Sequence, residues 1–116
     1  MDLGKKLQMT PGSSVFVVNA PEGLKLDLKI SRKQESPVLL FAENTSVLQK
    51  LGKPAIDVAR VDGLSWIAYP KAGKLGTDLN RDKLVEFLRP QGIEGVRLVS
   101  IDETWSAMRF RPIQSH

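Results

Sequence analysis

Apolar positions along this chain fall into two distinct rhythms. Residues 14–18 (SVFVV), 37–42 (PVLLFA) and 64–69 (LSWIAY) are nearly unbroken apolar runs bounded by Pro, Gly, Ser and Asn. Short continuous runs of this kind predict strands buried on both faces, as in a parallel sheet covered on each side. Leu24, Leu26, Leu28 and Ile30 instead alternate strictly with Lys25, Asp27 and Lys29, which predicts an edge strand with one face in water. In 96–101 (VRLVSI) the alternation is partial. Beyond Asp102, Glu103 and Thr104 the chain resumes with Ser106, Met108 and Phe110 on one face and Trp105, Ala107, Arg109 and Arg111 on the other.

Helical spacing appears twice. Val47, Leu48, Leu51, Ala55, Ile56 and Ala59 share a helical stripe that Gly52 and Pro54 interrupt. Proline lacks an amide hydrogen and suits a first turn, so this stretch predicts a short helix, a break near Lys53 and a second short helix. The other helix runs from about Asn80 to Arg89, capped by Asp78 or Asn80, with Leu84, Val85, Phe87 and Leu88 on its apolar side and Pro90 and Gly92 ending it. The order of elements predicts one three-layer α/β domain over residues 1–116, with a mainly parallel sheet closed by a C-terminal antiparallel hairpin. If 25–30 is a strand, about six residues separate it from Val18, short of the roughly ten to twelve that a parallel crossover needs. An antiparallel pairing with the first strand, or a place elsewhere, is therefore expected for it.

Composition narrows the chemistry. The 116 residues include no cysteine, which excludes disulfides and thiolate metal sites and suits a reducing cytoplasm. The segment MDLGKKLQMTPG lacks a signal-peptide core, and no apolar run approaches the roughly 18 residues that span a bilayer. A soluble, cytoplasmic protein without membrane partners is expected. The net charge of +4 invites a nucleic-acid reading. Its distribution weakens that reading: Lys and Arg against Asp and Glu number six to four over 1–36, five to four over 37–80 and six to five over 81–116.

Catalytic motifs are scarce. His116 is the only histidine, so a Ser-His-Asp triad and a zinc site both lack their residues, and Ser106 stands outside any Gly-x-Ser-x-Gly elbow. The segment 72–77 (AGKLGT) resembles a phosphate loop but places Leu75 after Lys74 and Ala68 where the pattern needs glycine. No metal and no cofactor are expected. What remains is the carboxyl edge of the sheet, where parallel strands would gather Asn19, Glu22 and Gly23, then Tyr69, Lys71, Thr77 and Asp78, then Asp102 and Glu103. These carboxylates near Lys71 can bind magnesium or a polar ligand, or shift one another's pKa. Equally, Asp78 can cap a helix and Asp102 and Glu103 can form a turn. Trp105 with Arg109 can stack a ligand or anchor a partner, or the ring can lie under arginine stems.

The segments KLQMTPG, VVNAPEG, VLLF, WIAYPK, TDLNRDKL and IDETWSAMRFRP together resemble a family of small bacterial proteins, a domain of unknown function, over nearly the whole chain. That family is similar to a truncated class I S-adenosylmethionine-dependent methyltransferase, a Rossmann-like fold that ends in the same hairpin and has a Gly-containing turn before the strand matching LSWIAY. The family resemblance implies a cofactor held by a Gly-rich loop after the first strand and an acidic residue after the second. Here the first strand runs into NAPEG, where Gly23 is the one glycine left. The expectation is therefore a non-catalytic binding or protein-interaction module on a degenerate methyltransferase-like scaffold. Two alternatives stay open: a small transferase or hydrolase acting on a small polar metabolite at the carboxyl edge, and a nucleic-acid binder using Arg109, Arg111 and nearby lysines. Strand addition at the edge near 25–30 would give a homodimer, against which Lys25 and Lys29 guard.

Overall fold

The computed structural model describes residues 3–9, 13–22, 29–31, 37–72 and 74–113. Its elements in chain order are helix α1 (Leu3–Lys6), strands β1 (Ser14–Val18), β2 (Lys29–Ser31) and β3 (Val38–Phe41), helices α2 (Thr45–Leu51) and α3 (Lys53–Arg60), strand β4 (Ser65–Pro70), helix α4 (Arg81–Leu88), and strands β5 (Ile93–Ser100) and β6 (Trp105–Pro112). Short 3-10 turns occupy Lys74–Gly76 and Arg89–Gln91. The strands form one mixed six-stranded sheet in the order β2-β1-β3-β4-β6-β5. β2, β1, β3 and β4 are mutually parallel, whereas β6 is antiparallel to both β4 and β5. The sheet is thus parallel on one side and antiparallel on the other, so the expected mainly parallel sheet holds only in part.

Local chemistry explains most boundaries. Asn44 opens α2 with extended backbone, and its Oδ1 accepts from the Val47 amide at 2.9 Å. Gly52 separates α2 from α3, and Pro54 sits in the first turn of α3, where its missing N–H leaves no bond unmade. Asn80 caps α4 through an acceptor bond from the Lys83 amide at 2.8 Å. Gly92, at φ 89°, supplies the left-handed residue that turns the chain into β5.

Burial follows the continuous runs. Every residue of β3 and of β4 is buried. On one face Val38, Leu40, Ile67, Tyr69, Met108 and Phe110 pack with Leu48, Ala55, Leu84 and Leu88 of α2, α3 and α4. On the other face Leu39, Phe41, Trp66, Trp105 and Ala107 pack with Leu7, and partly with Met9, of the N-terminal segment. The third layer is therefore thin: among the described residues one short helix and the segment after it cover the second face. Trp66 anchors that segment, its Nε1 donating to the Leu7 carbonyl at 2.9 Å in a buried bond. Buried Ser65 does likewise on the helical side, where its Oγ donates to the Ala55 carbonyl at 2.7 Å.

Two expectations are corrected. β1 is only half-buried apart from Val15, because its outer neighbour β2 is three residues long and leaves it close to the sheet edge. β2 does lie at an edge, but it pairs parallel with β1 in the register Ser14↔Lys29. Its described residues, Lys29–Ser31, overlap only the end of the alternating stretch 24–30. Leu24 to Leu28 lie outside the described residues.

Replacing Trp66 by Phe keeps most of the buried apolar area but leaves the Leu7 carbonyl without its donor. A buried acceptor orphaned in this way costs about 1–3 kcal/mol. The expected outcome is a lower urea midpoint with an unchanged m-value, and an unshifted midpoint would show that the anchor contributes nothing.

Candidate functional site

All strands whose carboxyl ends could build a site point the same way. β1, β3 and β4 are parallel, and β5 shares their direction because β6 reverses between β4 and β5. The loops after β1, β3, β4 and β5 therefore occupy one edge of the sheet. Along it the strand order changes direction between β1 and β3, the place where open α/β sheets leave a crevice. Asn19 stands at that crevice at φ 59°, a left-handed conformation that asparagine tolerates better than most residues. Its Nδ2 donates to the Phe41 carbonyl at 3.0 Å, so the side chain ties the end of β1 to the end of β3.

The loop after β4 is fastened from both ends. Lys71 donates its amide to the Thr104 carbonyl at 2.7 Å and its Nζ to Ser100 Oγ at 2.7 Å. Thr77 Oγ1 accepts from the Leu79 amide at 3.0 Å. Asp78 Oδ1 accepts from the amide of Thr45, the first residue of α2, at 2.8 Å. That backbone bond, opposed by some desolvation, holds the Asp78 carboxyl below the ordinary aspartate range. In the hairpin loop Asp102 Oδ1 accepts from the amides of Thr104 and Trp105, each at 2.8 Å, which is the side-chain mimicry of a turn expected of aspartate.

A cleft of about 310 Å³ opens beside the end of β4, lined by Tyr69, Lys71, Asn80, Arg81, Leu98 and Ser106. Tyr69 is 5% exposed. Burial raises its pKa, with Arg81 opposing and Asp82 adding to the shift, so the phenol remains protonated at neutral pH and serves as a hydrogen-bonding group.

The structure thus gathers Tyr69 and Lys71 in one cleft and joins Lys71 to the loop of Asp102 and Glu103 by backbone and side-chain bonds. Asn19 sits at the crevice, Thr77 and Asp78 fasten the loop against α2, and Glu22 is an exposed residue past β1. Gly23 lies outside the described residues. Trp105 and Arg109 do not join the edge. Trp105 is 3% exposed and meets Phe41 edge to face, ring centroids 5.1 Å apart at 86°, so the ring is core and not a stacking platform. Arg109 Nη1 donates to Gln8 Oε1 at 2.7 Å on the second face of the sheet. Arg111 is engaged by Asp62 in two bonds of 2.8 and 3.0 Å, which removes it from the proposed basic face.

Asn80, Arg81, Leu98 and Ser106 were not singled out as site residues. Asn80 was legible only as a cap, and the position of Leu98 depends on a bulge in β5. Among the described residues no group of three His, Asp or Glu side chains is placed to hold a metal ion, and no helix is long and apolar enough to cross a membrane. Compared with protein-family models, curated proteins and solved structures, the chain matches none.

The Asp78 contact makes a pH prediction. A carboxyl whose folded pKa is depressed stabilises fully above its unfolded pKa, and the contribution is lost as pH falls through the folded value. Carbon-detected NMR should place the Asp78 midpoint below the ordinary aspartate range, with amide-exchange protection in the first turn of α2 falling over the same acidic window. A midpoint at or above that range would contradict the contact.

Proposed function

We propose that the chain is a non-catalytic binding module on a shortened methyltransferase-like scaffold. The observation that carries this reading is the state of the polar side chains at the carboxyl edge: Asn19, Asn44, Asp78, Asn80 and Asp102 are each engaged by backbone groups of the scaffold itself. The Asp78 carboxylate is held in its charged form by the Thr45 amide and is a poor general base. The crevice between β1 and β3, where a nucleotide-like cofactor would enter, is bridged by the Asn19 side chain.

Support for the scaffold half of the proposal comes from the parallel run β1-β3-β4 followed by a terminal hairpin whose last strand inserts beside β4. Support for its being degenerate comes from the segment after β1, with its single glycine, and from Arg32 and Lys33, which follow β2 where the resemblance calls for an acid. A second reading, a small enzyme or receptor for a polar metabolite, is favoured by the cleft of Tyr69, Lys71, Asn80, Arg81 and Ser106, which lies within the size range of small-ligand pockets.

Backbone amide NMR separates the two. The labelled protein is titrated with S-adenosylmethionine, its demethylated product, common nucleotides and magnesium. The binding-module reading expects no saturable shift at Asn19, Ala42 or Asn44 with S-adenosylmethionine. Saturable shifts there, accompanied by methyl transfer to any acceptor, would overturn it. Shifts confined to Tyr69, Lys71 and Arg81 with a nucleotide would move the assignment to the second reading.

A further inference from the structure

We infer that the second face of the sheet carries an anion site for a small phosphorylated ligand, formed between α1 and β5. It lies on a different surface from the Tyr69 cleft, and its success or failure is independent of the function proposed above. A cleft of about 510 Å³ is lined there by Lys5, Lys6, Arg97, Val99 and Ser100. Every ionisable group in that lining is a cation. Val96 is the extra residue of a β-bulge, since Gly95 pairs with Phe110 and Arg97 with Arg109. Bulges re-aim side chains, and this one places Arg97 directly opposite Arg109 on the face where Lys5 and Lys6 lie. Like charges opposite each other across two strands destabilise a sheet.

Elsewhere the scaffold pairs cations with carboxylates. Two residues beyond Arg109 on β6, Arg111 is held by both oxygens of Asp62, and on α3 Lys53 pairs with Asp57 at 2.8 Å. Among the described residues no carboxylate pairs with Lys5, Lys6, Arg97 or Arg109. Arg109 Nη1 donates to the neutral amide of Gln8, its Nε is buried without a partner, and the carboxylate whose charge it feels, Asp62, is hydrogen-bonded to Arg111 instead. Lys6 Nζ donates to the Ser100 carbonyl at 3.0 Å, which holds one ammonium group against the end of β5. An oxyanion of two or more charges in the cleft would offset the charges of Lys5, Lys6 and Arg97, offering acceptors to the planar guanidinium fork and to the point-charge ammonium groups alike. Lys5, Lys6 and Arg97 lie within this one cleft, while Arg111, Lys53 and Arg60 are engaged elsewhere. A confined cluster suits a phosphate or diphosphate group on a small molecule better than a polymer, which needs a continuous basic track.

The test titrates labelled protein with inorganic pyrophosphate and, separately, with a single-stranded DNA oligonucleotide at constant ionic strength. The expected result is saturable amide shifts at Lys5, Lys6, Arg97, Val99 and Ser100 with pyrophosphate. Binding should weaken at least tenfold in Arg97→Gln and stay unchanged in Lys53→Gln, which removes the same charge far from the cleft. Arg97→Gln should also raise the melting temperature of the ligand-free protein, because it removes a repulsion. Equal weakening in Lys53→Gln would reduce the effect to net charge and overturn the site. So would the absence of saturable pyrophosphate shifts, a lower melting temperature for Arg97→Gln, or shifts that appear with the oligonucleotide alone, which would give the patch to nucleic acid.

Discussion

The whole arrangement depends on burying β3 and β4 on both faces at once. These two strands carry almost nothing but apolar side chains, so each face must be covered or the sheet exposes a broad hydrophobic surface. The covers are unequal. Three helices pack on one side, whereas among the described residues Leu7 and its neighbours cover the other, packed on Trp66, Trp105 and Phe41. The bond from the Trp66 indole to the Leu7 carbonyl fixes where that thin cover lies. Placing α1 there also brings Lys5 and Lys6 beside β5, so the demand for a second cover and the cationic cleft have one structural cause.

Insertion of β6 between β4 and β5 has comparable reach. It gives β4 an antiparallel neighbour on its open side and aligns β5 with the parallel strands, and this is why the hairpin loop shares an edge with the loops after β1, β3 and β4. Once on that edge, Asp102 shapes its own turn and Thr104 receives the Lys71 amide. The edge is consequently rich in polar residues and well ordered by them, and its order is achieved by the same contacts that occupy those residues.

Much of this could be read from the amino-acid order. The runs at 14–18, 37–42 and 64–69 became β1, β3 and β4, the Gly52 and Pro54 pair separated α2 from α3, and the Asn80 cap with Pro90 and Gly92 bounded α4. Each of these signals is local, a matter of period or of backbone chemistry within a few residues. What was not legible was non-local. Alternation alone does not specify the pairing sense of β2, and the partner of β4 depended on an insertion from the end of the described chain. At the site, Asp102 closes its own turn, one of its two readings, while Asp78 accepts from Thr45 of α2 rather than capping α4, a contact between residues 33 apart that local chemistry does not reveal. Trp105 was harder: its face was assigned correctly from alternation with Arg109 and Arg111, but that face is covered by a segment nearly a hundred residues earlier. Arg97 escaped notice since only the bulge at Val96 brings it onto that same face.

The strand order also sets a schedule for making the protein. As the chain leaves the ribosome, β1, β3 and β4 can pair in turn, but β4 then presents an unpaired edge flanked by mostly apolar side chains until β6, the last of the described elements, arrives. β5 emerges earlier and has no partner of its own until the same moment. A nascent chain stalled between the two would display a half-built sheet with a sticky margin, the kind of surface that chaperones recognise.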